Sequence, residues 1–178
     1  MNKGNLVHIL ELIDEEASLS LESVTPDKKP CVVIVGGGAF VLRDLTSRPS
    51  THDIDVFMVD ERLREIISHY PEVNGAVMAY MDSIPYNFED RLLDIPVKTA
   101  TVAFKTPSIE DLAVMKLYGW RPNDIADLTS EAFLEQVNWD LLDCLVYDDN
   151  EAKASALSPR RYEEMVSVYE EYRKEYRK

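Results

Sequence analysis

Cysteine is scarce in this chain: Cys31 and Cys144 are its two, far apart in sequence and at no metal-ligand spacing. That argues against a disulfide-stapled fold or a cysteine-based metal site and leaves reduced thiols in a cytoplasmic protein as the expectation. Histidine is scarce as well, and His8, His52 and His69 form no ligand spacing; no Ser-His-Asp or Cys-His arrangement is legible. Long apolar runs are missing. The opening MNKGNLVHILELIDEEASL carries acids inside its apolar stretch, unlike a signal peptide, and no later run is long enough to cross a bilayer. Positive charge is the last deficit: 19 basic residues face 33 acidic ones, a formal net charge of −14. A protein that grips a duplex neutralises phosphates with Lys and Arg, so broad duplex DNA binding is disfavoured. A basic patch around one polynucleotide end, a basic protein partner and a merely soluble surface all remain open.

What is present reads as an α/β half followed by helices. The 178 residues suffice for one well-buried core, with no linker that would divide them, so the chain is expected to form a single domain over 1–178. Leu6, Ile9, Leu10 and Ile13 recur at three- and four-residue intervals, the stripe of an amphipathic helix. CVVIV at 31–35 is a β-branched run suited to a strand buried on both faces, and it ends in Gly36-Gly37-Gly38. Helical spacing follows in AFVLRDL, then a strand in DIDVFMVD at 53–60, then a helix in DERLREIISHY with Leu63, Ile66 and Ile67 inward. Further strands are expected at 75–81 and 97–104, while IPYNFEDRLLD is ambiguous. After Pro107, Ser108 and Asp111 form a helix-capping signature; helices are expected near 124–136 and 139–147, and Ser158-Pro159 opens a last one.

The chemistry concentrates in two motifs. Asp53 and Asp55 stand two apart in a strand, so their carboxylates share a face with Cα atoms about 6.5–7 Å apart and can converge on a hard cation. Strand interiors are poor in aspartate, and the pair would repel itself without a cation, so it asks for an explanation. The triple glycine between a buried strand and a helix lets backbone amides approach a phosphate. Two rival readings of it fail. A dinucleotide fingerprint needs glycine three residues after Gly38, where Val41 stands, and a P-loop needs a Gly-Lys-Ser/Thr that is absent.

Strand, Gly-Gly, helix, then a strand bearing Asp-apolar-Asp resembles the minimal nucleotidyltransferase superfamily. The stretch GGGAFVLRDLTSRPSTHDIDVF is similar to its branch of type IV abortive-infection toxins and related bacterial families of unassigned function. Gly37, Gly38, Ala39, Arg48, Thr51, Asp53, Ile54 and Asp55 stand close to that branch's pattern, one residue looser in spacing. Further on, Glu110, Asp111, Leu112, Lys116, Leu117, Arg121, Asp124 and Asp127 follow the pattern of its later helices, with Asn123 where relatives often carry lysine. The likeness covers roughly residues 31–137.

It implies an α/β fold with a nucleotidyltransferase-like mixed sheet flanked by helices, an α/β core at about 31–105 and a C-terminal helical extension at about 107–178. It further implies Asp53 and Asp55 as catalytic ligands of Mg²⁺, and Gly37 and Gly38 as a cradle for the phosphates of a nucleoside triphosphate. Arg48, Thr51 and Lys116 would complete nucleotide binding, and the chemistry would be NMP transfer to an acceptor such as tRNA, a protein or a small molecule. A toxin–antitoxin setting would suit such an activity. One departure counts against it. Many members add a third carboxylate from a later strand, and VKTATVAF has none; Asp90 and Asp94 lie just before it, out of convincing register. A catalytically silent binding or regulatory protein is therefore the rival reading. Arg48 could clamp phosphate or pair with nearby carboxylates; a solvated face or helix capping is expected for Asp124 and Asp127.

Overall fold

The β-branched run at 31–35 becomes β1 (Cys31–Val35), the central strand of a five-stranded mixed sheet of order β3-β2-β1-β5-β4 in the computed structural model. The model describes residues 1–21, 24–25, 28–75 and 81–177. Flanked by strands on both sides and covered on both faces, Val32, Val33, Ile34 and Val35 are no more than 1% exposed, which is what a continuous apolar strand requires. Antiparallel to β1 runs β2 (Ile54–Val59), and β3 (Val73–Asn74) lies parallel to β2. On the other side β5 (Ala103–Thr106) is parallel to β1, and β4 (Leu93–Asp94) closes the edge antiparallel to β5.

The chain divides into two compact units. The sheet unit comprises Met1–Arg43, Pro49–Met78 and Leu93–Thr106. Besides the sheet it holds α1 (Lys3–Ser20), α2 (Gly36–Leu42) and α3 (Arg64–Ser68), the last preceded by a 3-10 turn at Glu61–Leu63. The stripe Leu6, Ile9, Leu10 and Ile13 is buried, as are Leu63, Ile66 and Ile67, so both amphipathic readings hold. Asn2 caps α1 by accepting the Asn5 N–H at 2.9 Å.

The strand expected over 97–104 is shorter and later than its pattern suggested. Residues 97–102 are irregular, and the strand is Ala103–Thr106. Asp14, reaching from α1, supplies the reason. Its carboxylate accepts the backbone N–H groups of Ala100 and Thr101 at 2.8 Å each and of Val102 at 2.6 Å. Three donors that a strand would give to a neighbour are committed to one side chain, and the Thr99 hydroxyl closes the turn by donating to the Val102 carbonyl at 2.7 Å. The strand expected at 75–81 falls mainly on residues 76–80, outside the described residues. The ambiguous IPYNFEDRLLD forms a 3-10 turn at Phe88–Arg91 and leads into β4.

The helical unit takes Asp44–Arg48, Ala79–Leu92 and Pro107–Lys178. It contains α4 (Ile109–Gly119), α5 (Pro122–Leu128), α6 (Glu131–Leu134), α7 (Trp139–Tyr147), α8 (Ala152–Ser155) and α9 (Pro159–Tyr176). Ser108 and Ser158 cap α4 and α9 as their positions promised. The helix expected over 124–136 is two, because Ser130 ends the first and caps the second: its hydroxyl accepts the Phe133 N–H at 3.3 Å and donates to the Leu45 carbonyl at 2.7 Å. Two aromatic residues of the tail serve as core. Tyr169 and Tyr172 are buried on α9, Tyr169 donates to Asp143 at 2.6 Å and Tyr172 to the Leu128 carbonyl at 2.7 Å. Among the described residues no helix is long and apolar enough to cross a membrane, and both cysteines are free thiols.

Candidate functional site

At the end of β1 the chain turns into α2 through Gly36, whose φ of 66° lies in the left-handed region that favours glycine. A second constraint acts there. A Cβ on Gly36 would stand 2.4 Å from Oδ2 of Asp55, closer than any real contact, so the missing side chain is what lets that carboxylate lie over the turn. Gly38 runs close to β2 itself: a Cβ there would meet the Asp53 carbonyl oxygen at 3.5 Å and the Ile54 Cα at 3.6 Å, ordinary contacts that leave room for one. Gly37 is the second residue of α2. The strongest steric requirement thus falls on Gly36, where the motif had directed attention to Gly37 and Gly38.

The aspartates are placed by the pleat of β2. Ile54 and Val56 point into the core at 0% and 2% exposure, which turns Asp53 and Asp55 to the other face, both partly exposed. Asp55 lies opposite Val35 on one side and Asn74 on the other, and the Asn74 Nδ2–H donates to Asp55 Oδ1 at 3.1 Å. Thr51 enters more weakly, with its hydroxyl 3.4 Å from the Asp53 carbonyl oxygen to which it donates.

No group of three or more His, Cys, Asp or Glu side chains able to hold a metal occurs among the described residues. On β5 the partly exposed polar side chain is Lys105, in register with Asp94 of β4 and 3.5 Å from its carboxylate, a surface pair with Asp94 83% exposed. Asp90 sits in the 3-10 turn of the helical unit. The pair Asp53 and Asp55 fits a hard cation that completes its shell with phosphate oxygens and water, the usual habit of Mg²⁺.

Over residues 8–177 the chain matches the family described as nucleotidyltransferase of unknown function (DUF6036). The chain belongs to that family. No curated protein and no solved structure matches it. The family's description implies a nucleotide as the substrate class.

Arg48 and Lys116 lie in the helical unit, where they converge on Asp127. Arg48 grips it bidentately, with Nε on Oδ1 and Nη2 on Oδ2 at 2.6 Å each. Thr46 donates to Oδ1 at 2.6 Å, and Lys116 Nζ meets Oδ2 at 2.7 Å. Lys116 also reaches Asp124 at 3.1 Å, while Arg121 binds the other Asp124 oxygen at 2.9 Å. A solvated face or helix capping was the expectation for these acids; Asp124 does cap α5 by accepting the Arg121 backbone N–H at 3.1 Å, but neither face is wet, since Asp124 and Asp127 are 4% and 0% exposed. Burial by itself raises their pKa values, but hydrogen bonds from Arg121 onto Asp124 and from Arg48 onto Asp127, with the Lys116 charge beside both, outweigh it and hold both carboxyls below the usual range. The spacing of Asp124 and Asp127 showed that they share a helix face; it could not show which face is covered.

Gly36→Ala tests the turn. The left-handed backbone costs about 1–2 kcal/mol for a residue with a Cβ, and the new methyl group must also push the Asp55 carboxylate aside. We expect a fall in stability of that order in urea titrations, with Gly38→Ala clearly milder.

Proposed function

We propose that this chain is a Mg²⁺-dependent nucleotidyltransferase that moves NMP from a nucleoside triphosphate to an acceptor hydroxyl on RNA, a protein or a small molecule. The observation that carries the reading is the placement of Asp55 against the glycine turn, with Asp53 two residues earlier, just before the strand begins at Ile54. Asp53 and Asp55 would hold the ion, which supplies charge neutralisation at the phosphates when bound. The backbone of the Gly36–Gly38 turn, free of side chains, offers close approach to the triphosphate, and Thr51 stands beside the aspartates. Arg48 and Lys116 belong to the proposal on the likeness of their sequence pattern alone; within the helical unit both are bound to Asp127, and Lys116 also to Asp124.

A catalytically silent nucleotide-binding protein is the second reading, favoured by the missing third carboxylate on β5 among the described residues. Titration calorimetry with each of the four NTPs, with and without Mg²⁺, separates these readings from a scaffold with no nucleotide role. Metal-dependent binding that weakens at least tenfold in Asp53→Ala and Asp55→Ala is the expected result. Binding without turnover on any acceptor class would favour the silent protein. If no NTP binds the wild-type protein at any metal concentration, both readings fail.

A further inference from the structure

Asp55 is held from two sides, and one of them has no counterpart in the sequence pattern. In the β2–β3 ladder Asp55 and Asn74 are register partners, so their side chains leave the sheet on one face as cross-strand neighbours. The Asn74 amide donates to Asp55 Oδ1 at 3.1 Å, while Oδ2 lies over Gly36. A backbone bond from the Ile54 N–H to the Glu72 carbonyl at 2.9 Å fixes the same register one residue earlier. Asn74 therefore stands where a strand neighbour could add an acid to the pair, and it brings a neutral donor.

From this geometry we infer that Asn74 is a positioning residue of the nucleotide site: it orients the Asp55 carboxylate and keeps the acidic donors at two. The inference rests on the nucleotidyltransferase reading given above. Its chemistry follows from what an amide does that a carboxylate cannot. The Nδ2–H takes one lone pair of Oδ1 and restrains the carboxylate's rotation, while Oδ2 lies over the Gly36 turn. With two acids the site binds a bare divalent ion weakly and takes it together with the triphosphate, whose oxygens supply the other ligands. An aspartate at position 74 would reverse this. It could not donate to Asp55 when ionised, and the close carboxylates would repel until a cation or a proton settled between them.

The test measures Mn²⁺ binding by electron paramagnetic resonance, alone and with each of the four NTPs, on wild-type protein, Asn74→Leu and Asn74→Asp, each first checked for unchanged circular dichroism and melting. Wild type is expected to bind Mn²⁺ far more tightly with a nucleotide than without. Asn74→Leu, with the same branching but no donor, should lose about tenfold or more of the nucleotide-dependent affinity, the usual effect of removing a ligand's hydrogen-bond partner. Asn74→Asp should gain about tenfold for Mn²⁺ alone, with proton release on binding that rises as pH falls. If both variants match wild type while wild type binds Mn²⁺ with a nucleotide, the positioning role is wrong and the nucleotide site stands. If none of the four NTPs promotes Mn²⁺ binding to wild type, the functional reading falls and takes this inference with it.

Discussion

Asp127→Ala is expected to destabilise the protein by about 3–5 kcal/mol, the cost of removing one partner from a buried charge cluster. Both oxygens of Asp127 are saturated by Arg48, Thr46 and Lys116, and its side chain is fully buried. Deleting it leaves the Lys116 ammonium, whose side chain is 7% exposed, short of one of the acids that hold it, and frees the guanidinium of Arg48. It also unties the segment Asp44–Arg48 from α5, since Thr46 and Arg48 are both bound to that one carboxylate. For a chain of this length the loss corresponds to a melting temperature lower by roughly 10 °C. The double variant Asp127→Ala/Lys116→Met should recover part of it, because that ammonium is then gone.

The same cluster fixes the sign of a pH dependence. Asp127 and Asp124 have folded pKa values held below their ordinary value, so the unfolded chain binds more protons over that interval. Their contribution is present in full above the ordinary aspartate value of about 3.9 and is lost as pH falls through the depressed folded values. The stability gap between wild type and Asp127→Ala should therefore be widest near neutrality and close as pH drops below about 4. Urea titrations at stepped pH measure it; a gap that stays constant through that range would mean Asp127 carries no charge-dependent stabilisation.

The sequence carried the parts of this molecule that depend on periodicity and on chemistry concentrated in a few adjacent positions. The stripe of α1, the buried strand β1, the Asp-x-Asp strand β2, and the serine caps of α4 and α9 all rest on local patterns, and local patterns survive folding. What could not be read depends on partners far away along the chain. Residues 97–102 have good strand character, yet Asp14, more than eighty positions earlier, takes their N–H groups. Asn74 is an unremarkable polar residue until β3 lies beside β2. Gly36 was visible as one of three glycines, but its particular burden, the clearance of Asp55, exists only once β2 returns antiparallel to β1. Asp124 and Asp127 looked like a wet helix face because nothing local announces that Arg48 arrives from the α2–β2 connection.

Arg91 shows the same long-range logic and yields the second large effect. Its guanidinium bridges two buried carboxylates: Asp111, through Nε at 3.0 Å and Nη2 at 2.8 Å, and Glu151, through Nη1 at 3.0 Å and Nη2 at 2.9 Å. Ser108 adds a donor to Asp111 at 2.7 Å, and Asn87 reaches Glu151 with its backbone at 3.4 Å and its amide at 3.3 Å. The irregular stretch leading to Arg91 is thus pinned to the start of α4 and to the residue before α8. Burial works against the charge on Arg91, but the hydrogen bonds it donates to both acids more than offset it and raise its pKa. Arg91→Met keeps the apolar stem and removes the fork, leaving two acids facing each other in a buried site at a cost of about 3–5 kcal/mol. Arg91→Lys should rescue little, because one ammonium cannot satisfy two carboxylates bidentately. Melting curves of both variants beside wild type decide it. An Arg91→Met midpoint within a degree or two of wild type would show that Asp111 and Glu151 do not need their shared cation.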